Sequence, residues 1–203
     1  MSLRLISLDC PSCGSAMRGE GLDTIFFCSH CGDAAVLEDE GLQTVDSTAL
    51  MPAPGRRAGV WRPAWRFEVQ VRIHHRVKAD GRSTPDWEAK KTFVIPAFDL
   101  SLADLTRVSR AISKVSEGTR ETPREPIRGG TLSIEDALTL VRHLLIGDEV
   151  RRPDLLASVT VDVEEVSRGL VALPFEEIEK GLRCAVTGVV IPRSRAAEGR
   201  GSS

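Results

Sequence analysis

Four cysteines near the start of the chain have the type and spacing of metal ligands. Cys10 and Cys13 form one CxxC pair and Cys28 and Cys31 form a second, with fourteen residues between the pairs. Two residues between cysteines let both thiolates reach one ion from a single tight turn, and two such turns complete a tetrahedral site with Zn–S bonds of about 2.3 Å. Where thiols stay reduced, paired CxxC spacings indicate metal ligands rather than disulfides. The pattern predicts one Zn²⁺ held by all four sulfur atoms.

The residues around the cysteines support this prediction. Gly14 and Gly32 each follow the second cysteine of a pair, where a positive φ lets backbone amides point at sulfur. Short strands are expected at 15–18, 24–27 and 34–37, the first two joined by a turn at 19–21. Over residues 8–38 the chain resembles the zinc-ribbon family, which carries two CPxCG-type knuckles. The resemblance implies a small fold stabilised by zinc.

Two other ligand arrangements are open from the sequence. Iron in a rubredoxin-like site is the main chemical alternative, although rubredoxins have a longer gap and a compact aromatic core, whereas this segment offers Phe26 and Phe27. His30 lies inside the second CxxC pair and could replace a cysteine, but four cysteines already fill the site. A site closed by four thiolates leaves no position for water or substrate, so its role is expected to be structural.

The remaining candidates for chemistry do not form a recognisable catalytic group. The sequence has no phosphate loop, nucleophile elbow or dinucleotide fingerprint. His74 and His75 are adjacent on an expected strand, so they point to opposite faces. Cys184 is unpaired, and we expect it to be a small buried hydrophobic residue. The sequence therefore favours a protein without catalytic activity.

The sequence divides into four segments, and the first of them contains the elements that must position the cysteines. We expect a zinc ribbon at 1–40, a linker at 41–60, an α+β domain at 61–192 and a disordered tail at 193–203. The expected fold class is α+β, with the N-terminal zinc ribbon followed by a mainly antiparallel sheet and two or more packed helices. Alternating apolar residues from Trp65 to Ile73 predict the clearest strand, and 92–95 is expected to return antiparallel to it.

Two helices are expected after these strands. Ser101 and Asp104 form the capping pattern of the first helix, and Ser133 and Asp136 repeat it for the second. Gly147 is the expected end of the second helix. Between the helices, residues 116–131 are polar and contain proline and glycine, so this stretch is expected to be mobile. Further strands are expected at 159–163, 170–173 and 189–191, with a turn at 167–169.

The charge is distributed unevenly along the chain. Residues 1–40 contain two basic and seven acidic side chains, and residues 56–92 contain ten basic and four acidic ones together with all three tryptophans. Four thiolates around one Zn²⁺ would make the ribbon more acidic still. Because phosphates repel such a ribbon, any contact with nucleic acid would have to come from the basic stretch. A third interpretation is that the acidic ribbon and the basic stretch attract each other, within one chain or between copies.

These observations lead to two functional hypotheses. The first is a protein-interaction or assembly subunit that binds a protein partner or larger assembly through its acidic ribbon and sheet surface. The alternative is nucleic-acid binding by the basic hairpin, in which tryptophans stack on bases. The residues assigned to that alternative are Arg66, Arg72, Arg76, Lys78, Lys90, Lys91, Trp61 and Trp87. No apolar run approaches the length of about 18 residues that a membrane helix needs, so no membrane association and a cytoplasmic location are expected.

Overall fold

The computed structural model describes residues 6–115, 119–120, 123, 125–152 and 159–192. The tail at 193–203 lies outside the described residues. Within them the chain is α+β, with a mainly antiparallel sheet and two helices, as expected. The elements in chain order are β1 (Ile25–Phe27), β2 (Ala34–Glu38), β3 (Gly41–Val45), β4 (Ser47–Leu50), β5 (Val60–His74), β6 (Trp87–Pro96), α1 (Leu102–Ile112), β7 (Thr119–Arg120), α2 (Ile134–Glu149), β8 (Thr160–Ile178), β9 (Gly181–Cys184) and β10 (Val190–Pro192).

Seven of the described strands form the larger sheet, which is built around β5 and β8. β5 pairs antiparallel with β6 on one side and with β8 along its whole length on the other. The opposite edge of β8 pairs with β4, in parallel, and with β9, antiparallel. β7 and β10 extend these outer strands.

The alternation that predicted β5 divides this sheet into two faces. Trp65, Phe67, Val69, Val71 and Ile73 are all buried on one side, which we call the Trp65 face. The opposite side, the Arg66 face, carries the intervening polar residues of β5. α2 packs its buried stripe against the Trp65 face. The alternation of apolar and polar residues in β5 thus predicted correctly which side of this strand faces the core.

Both helices begin at the predicted caps. The Ser101 hydroxyl accepts a hydrogen bond of 3.1 Å from the backbone N–H of Asp104, and Ser133 does the same for Asp136. Val108 and Ile112 of α1 pack on the apolar part of the Arg66 face, in a cluster with residues of β6 and β8.

α2 does not end at Gly147 as predicted, but runs on to Glu149. A glycine inside a helix costs about 1 kcal/mol relative to alanine, so this position needs another explanation. A Cβ atom at Gly147 would lie 2.8 Å from Nη2 of Arg110. Gly147 therefore gives the Arg110 guanidinium room to lie against the helix backbone.

The predicted turn at 167–169 is also wrong, because β8 continues through it. β5 offers a partner along this whole stretch, from Val60 opposite Phe175 to His74 opposite Thr160. The pairing absorbs one irregularity, where Glu68 is opposite Ser167 and Val69 is opposite Glu165. A long partner strand thus overrides the local turn preference of Ser167, Arg168 and Gly169.

The N-terminal unit, residues 6–45, has its own small sheet in the order β1-β2-β3. The predicted pairing of 15–18 with 24–27 is wrong. Ala16 instead bridges to Asp9, and β1 pairs with β2. Each CxxC turn itself reverses the chain, so the residues on either side of a turn become each other's partners.

The expected linker at 41–60 contains two strands. After the two-residue turn at Asp39 and Glu40, β3 folds back and pairs with β2 from Gly41 to Val45. β4 follows at once and joins the larger sheet beside β8. The physical reason is that β3 forms hydrogen bonds with the backbone groups of β2 that would otherwise be unpaired. This pairing depends on a neighbouring strand, so the composition of 41–60 alone does not predict it.

The N-terminal unit packs directly on the larger sheet. Ile25, Phe27, Ala34 and Val36 belong to the same buried cluster as the Trp65 face. The backbone N–H groups of Thr24 and Ile25 donate to the carbonyl of Gly130, at 2.7 and 3.0 Å. Gly130 belongs to the stretch at 116–131 that was expected to be mobile, so part of that stretch is hydrogen-bonded to the N-terminal unit. A Cβ atom at Gly130 would lie 2.6 Å from the Ala97 carbonyl oxygen, so this close approach requires glycine.

Candidate metal centre

The two CxxC turns have the same backbone geometry. In the first, the N–H of Cys10 donates to the carbonyl of Ser15 at 2.9 Å, and the N–H of Gly14 donates to the carbonyl of Cys10 at 2.8 Å. In the second, Cys28 donates to Asp33 at 2.8 Å and Gly32 to Cys28 at 2.9 Å. Each turn is thus a closed loop that presents two cysteines on one side.

Both glycines have the conformation that the sequence predicts. Gly14 has φ of 72° and Gly32 has φ of 88°. L-residues with a Cβ adopt this region only at a cost. The left-handed backbone at the fifth position of each turn is therefore a shared, local requirement of the two knuckles.

The four sulfur atoms converge on one point. Sγ of Cys10 lies 3.6 Å from Sγ of Cys31, and Sγ of Cys13 lies 3.6 Å from Sγ of Cys28. All four sulfur atoms lie within 4.8 Å of one another. Sulfur atoms bound tetrahedrally about 2.3 Å from one ion would be separated by about 3.8 Å. Soft thiolate donors at this spacing fit a single thiophilic metal ion.

The first cysteine of each turn faces inward and the second faces outward. Cys10 and Cys28 are 3% and 2% exposed and pack with Met17, Phe26 and Ala35, whereas the other two cysteines are exposed. Hydrogen bonds from the side chain and backbone of Ser15 lower the pKa of the Cys13 thiol to about 6. The surroundings of Cys13 thus favour the thiolate, which is the form that ligates metal. Desolvation together with the neighbouring cysteines instead raises the pKa of the Cys31 thiol to about 12.

The other titratable candidates lie outside this cluster. His30 is exposed and contributes no atom to the group of converging ligands. Cys184 is fully buried in an apolar cluster, as expected. His74 lies between two carboxylates, with Nδ1 3.0 Å from Asp86 and Nε2 3.5 Å from Asp162.

The tryptophans proposed as stacking platforms are partly or wholly covered. Trp61 is 3% exposed, and its Nε1 donates to Oε2 of Glu125 at 2.6 Å. Trp87 packs against the core of the Trp65 face, and Nζ of Lys91 lies 4.8 Å from the centre of its ring. Neither arrangement presents two open ring faces to a base.

The arginines proposed to contact nucleic acid each have a carboxylate nearby. Arg66 lies 3.7 Å from Glu68, and Arg72 lies 3.0 Å from Glu88 and 3.5 Å from Glu164. Nε of Arg76 lies 3.9 Å from the buried Glu149. Lys78 and Lys90 are exposed. The predicted set of basic residues is therefore distributed over both sheet faces and a loop, and does not form one continuous strip.

Sequence reasoning missed the backbone hydrogen bonds and the apolar packing that join the N-terminal unit to the larger sheet. Arg62 of β5 is partly buried, and this burial together with Arg128 lowers its pKa, while Glu20 and Asp23 act in the opposite direction. The two carboxylates belong to the N-terminal unit, so acidic groups of that unit act on a cation of the stretch at 56–92 within one chain. The adjacent glycines at 129–130 were the available signal for a close backbone approach.

Neither helix among the described residues is long and apolar enough to cross a membrane. No protein-family model, curated protein or solved structure matches this chain.

Proposed function

We propose that Cys10, Cys13, Cys28 and Cys31 bind one structural Zn²⁺ in a zinc ribbon, and that the protein acts without catalysis as a protein-interaction or assembly subunit. The observation that carries the metal proposal is the convergence of four sulfur atoms within 4.8 Å from two turns of equal geometry. The exclusively thiolate donor set favours zinc over harder cations. A closed four-thiolate site would stabilise a unit that is too small to fold on its apolar surface alone.

Metal analysis of the full-length chain, purified under reducing conditions, tests the first part. We expect one zinc and no iron per chain by mass spectrometry of the dissolved metal. Cys10→Ser/Cys28→Ser should lose the zinc, and Cys184→Ala, a matched control outside the cluster, should retain it. Stoichiometric iron would replace zinc in the proposal, and metal retained by the double serine variant would overturn the assignment of the ligands.

The interaction proposal is supported by the exposed surface of the N-terminal unit. Leu22 is 82% exposed at the tip of a turn in which the N–H of Asp23 donates to the Glu20 carbonyl at 2.9 Å. An exposed apolar side chain between two acidic ones is suited to a partner with an apolar pocket and a basic rim. The packing of this unit against the larger sheet holds the turn in one orientation, which lowers the entropy cost of binding.

Affinity purification from the native cell tests this surface. We expect one protein partner to be recovered in constant proportion with the wild-type chain and to be lost with Leu22→Asp. Met51→Asp changes another exposed apolar residue, 47% exposed in the wild type, and should leave recovery unchanged. Equal recovery with Leu22→Asp and wild type would contradict a docking role for this turn.

Nucleic-acid binding through the hairpin of β5 and β6 is the alternative function. It predicts binding to mixed-sequence DNA or RNA at low salt, with affinity that falls steeply as salt is raised. Lys78→Ala/Lys90→Ala should then weaken binding, because these two exposed lysines are among the assigned contacts. Absence of binding at every salt concentration would retire this alternative.

A further inference from the structure

A cavity of about 380 Å³ lies where β6 meets the last turns of α1 and α2. Its lining includes four basic side chains: Lys91 of β6, Arg110 of α1, and Lys114 and Arg151, which follow the ends of α1 and α2. None of the lining residues belongs to the N-terminal unit. The cavity is therefore separate from the four-cysteine cluster in both position and chemistry.

The charge of this cavity is strongly unbalanced. Asp148 is the one acidic residue among the described residues of the lining, and its Oδ1 lies 3.3 Å from Nη2 of Arg110. Among the residues that the structure describes, no carboxylate forms an ion pair with Lys91, Lys114 or Arg151. Arg66 and Arg72 on the Arg66 face differ from these three cations, because each of them lies beside a glutamate. Excess positive charge thus collects in a concave site.

The floor and walls of the cavity add further groups that could orient a ligand. Phe93 and Leu144 are buried apolar residues of the lining. Ser113 also lies in the lining, where its Oγ accepts a hydrogen bond of 2.9 Å from the backbone N–H of Val94. The Arg110 guanidinium forms an ion pair with Asp148 and lies against the helix backbone at Gly147.

We propose that this cavity binds a small molecule through a multiply charged phosphate group. Several cations facing one carboxylate favour an anion with more than one negative charge, and guanidinium and ammonium groups are the usual phosphate ligands in proteins. The volume lies near the lower end of the range of about 300–1,000 Å³ for small-molecule sites. A concave site of this size fits a pyrophosphate or nucleotide better than the extended backbone of a nucleic acid.

Isothermal titration calorimetry on the full chain tests the proposal with three probes: inorganic phosphate, pyrophosphate and ADP. We expect saturable one-to-one binding of pyrophosphate or ADP that weakens as salt is raised. Equal affinities for pyrophosphate and ADP would identify the phosphate group alone as the ligand. Tighter binding of ADP would show that the floor at Phe93 and Leu144 contributes.

Paired variants separate a built site from general positive charge. Lys114→Ala/Arg151→Ala removes two exposed cations of the cavity and should weaken binding by about tenfold or more. Arg57→Ala/Lys180→Ala removes the same charge from exposed positions outside the cavity and should change affinity less than about twofold. Equal weakening by both pairs would overturn the proposal. It would also be overturned if no probe bound at about 1 mM in low salt, or if a DNA oligonucleotide bound while all three probes failed.

Discussion

At the scale of single residues, the cysteines of each CxxC turn have different surroundings. Cys10 and Cys28 are buried against the apolar cluster that includes Phe26, and Cys13 and Cys31 lie toward solvent. The pattern of two CxxC pairs was sufficient to predict the convergence of the four sulfur atoms, because one tetrahedral ion needs four thiolates and each short turn supplies two. The exposure of each sulfur depended on which face of β1 packs beneath it, and spacing carries no information about that.

Gly14→Ala tests the backbone requirement of the first turn. A Cβ at Gly14 would meet no atom within 4 Å, so its cost comes from the φ of 72° alone. We expect the free energy of unfolding of the metal-loaded protein to fall by about 1–2 kcal/mol in chemical denaturation.

Gly21→Ala is the matched control for this substitution. A Cβ there also meets no atom within 4 Å, and Gly21 does not have a positive φ. It should leave stability unchanged or raise it slightly, because alanine reduces the entropy of the unfolded chain. Equal effects of the two substitutions would contradict the role assigned to Gly14.

At the scale of elements, periodicity and capping patterns predicted the main helices and strands. α1, α2 and β5 lie where the apolar spacing placed them, because each buries one continuous face. Two of the errors occurred at Gly147 and at 167–169, where a glycine suggested an end or a turn. In both places a contact from a distant element stabilises the continuous structure, namely Arg110 beside α2 and β5 beside β8.

Ser101→Ala tests the cap of α1. The hydroxyl of Ser101 satisfies the N–H of Asp104, which has no partner within the helix itself. Its loss should lower the free energy of unfolding by about 1 kcal/mol in urea titration. Ser101→Asp keeps an acceptor at this position and should remain close to wild type. A wild-type unfolding curve for the alanine variant would show that the cap contributes nothing measurable.

At the scale of the whole molecule, the N-terminal unit and the larger sheet share one core. Ile25 and Val36 lie in the same cluster as Trp65 and Leu170, and the backbone of Ile25 exchanges hydrogen bonds with Gly130. β1 and β2 are therefore packed between the cysteine cluster on one side and the Trp65 face on the other. Loss of the proposed metal ion from the cysteine cluster should therefore also loosen the packing on the Trp65 face, because β1 and β2 contact both.

Hydrogen exchange before and after removal of the metal by a chelator, under reducing conditions, tests this coupling. We expect faster exchange at the amides of Thr24 and Ile25, which donate to Gly130, as well as at the CxxC turns. The amide of Ser113, which donates to the Ser109 carbonyl at the end of α1, serves as the internal control. Unchanged protection at Thr24 and Ile25 in the metal-free protein would show that docking does not depend on the metal.

The local features of this protein were determined by its sequence alone: the two cysteine turns with their glycines, the alternation in β5 and the serine caps of both helices. These depend on residues within one turn or one strand of each other, so short-range geometry decides them. Tertiary structure alone decided that 41–50 forms strands, that β1 packs on the Trp65 face, and that cations from β6, from α1 and from the residues after α1 and α2 meet in one cavity. Those outcomes depend on backbone pairing and burial between segments far apart in the chain, which no local pattern records.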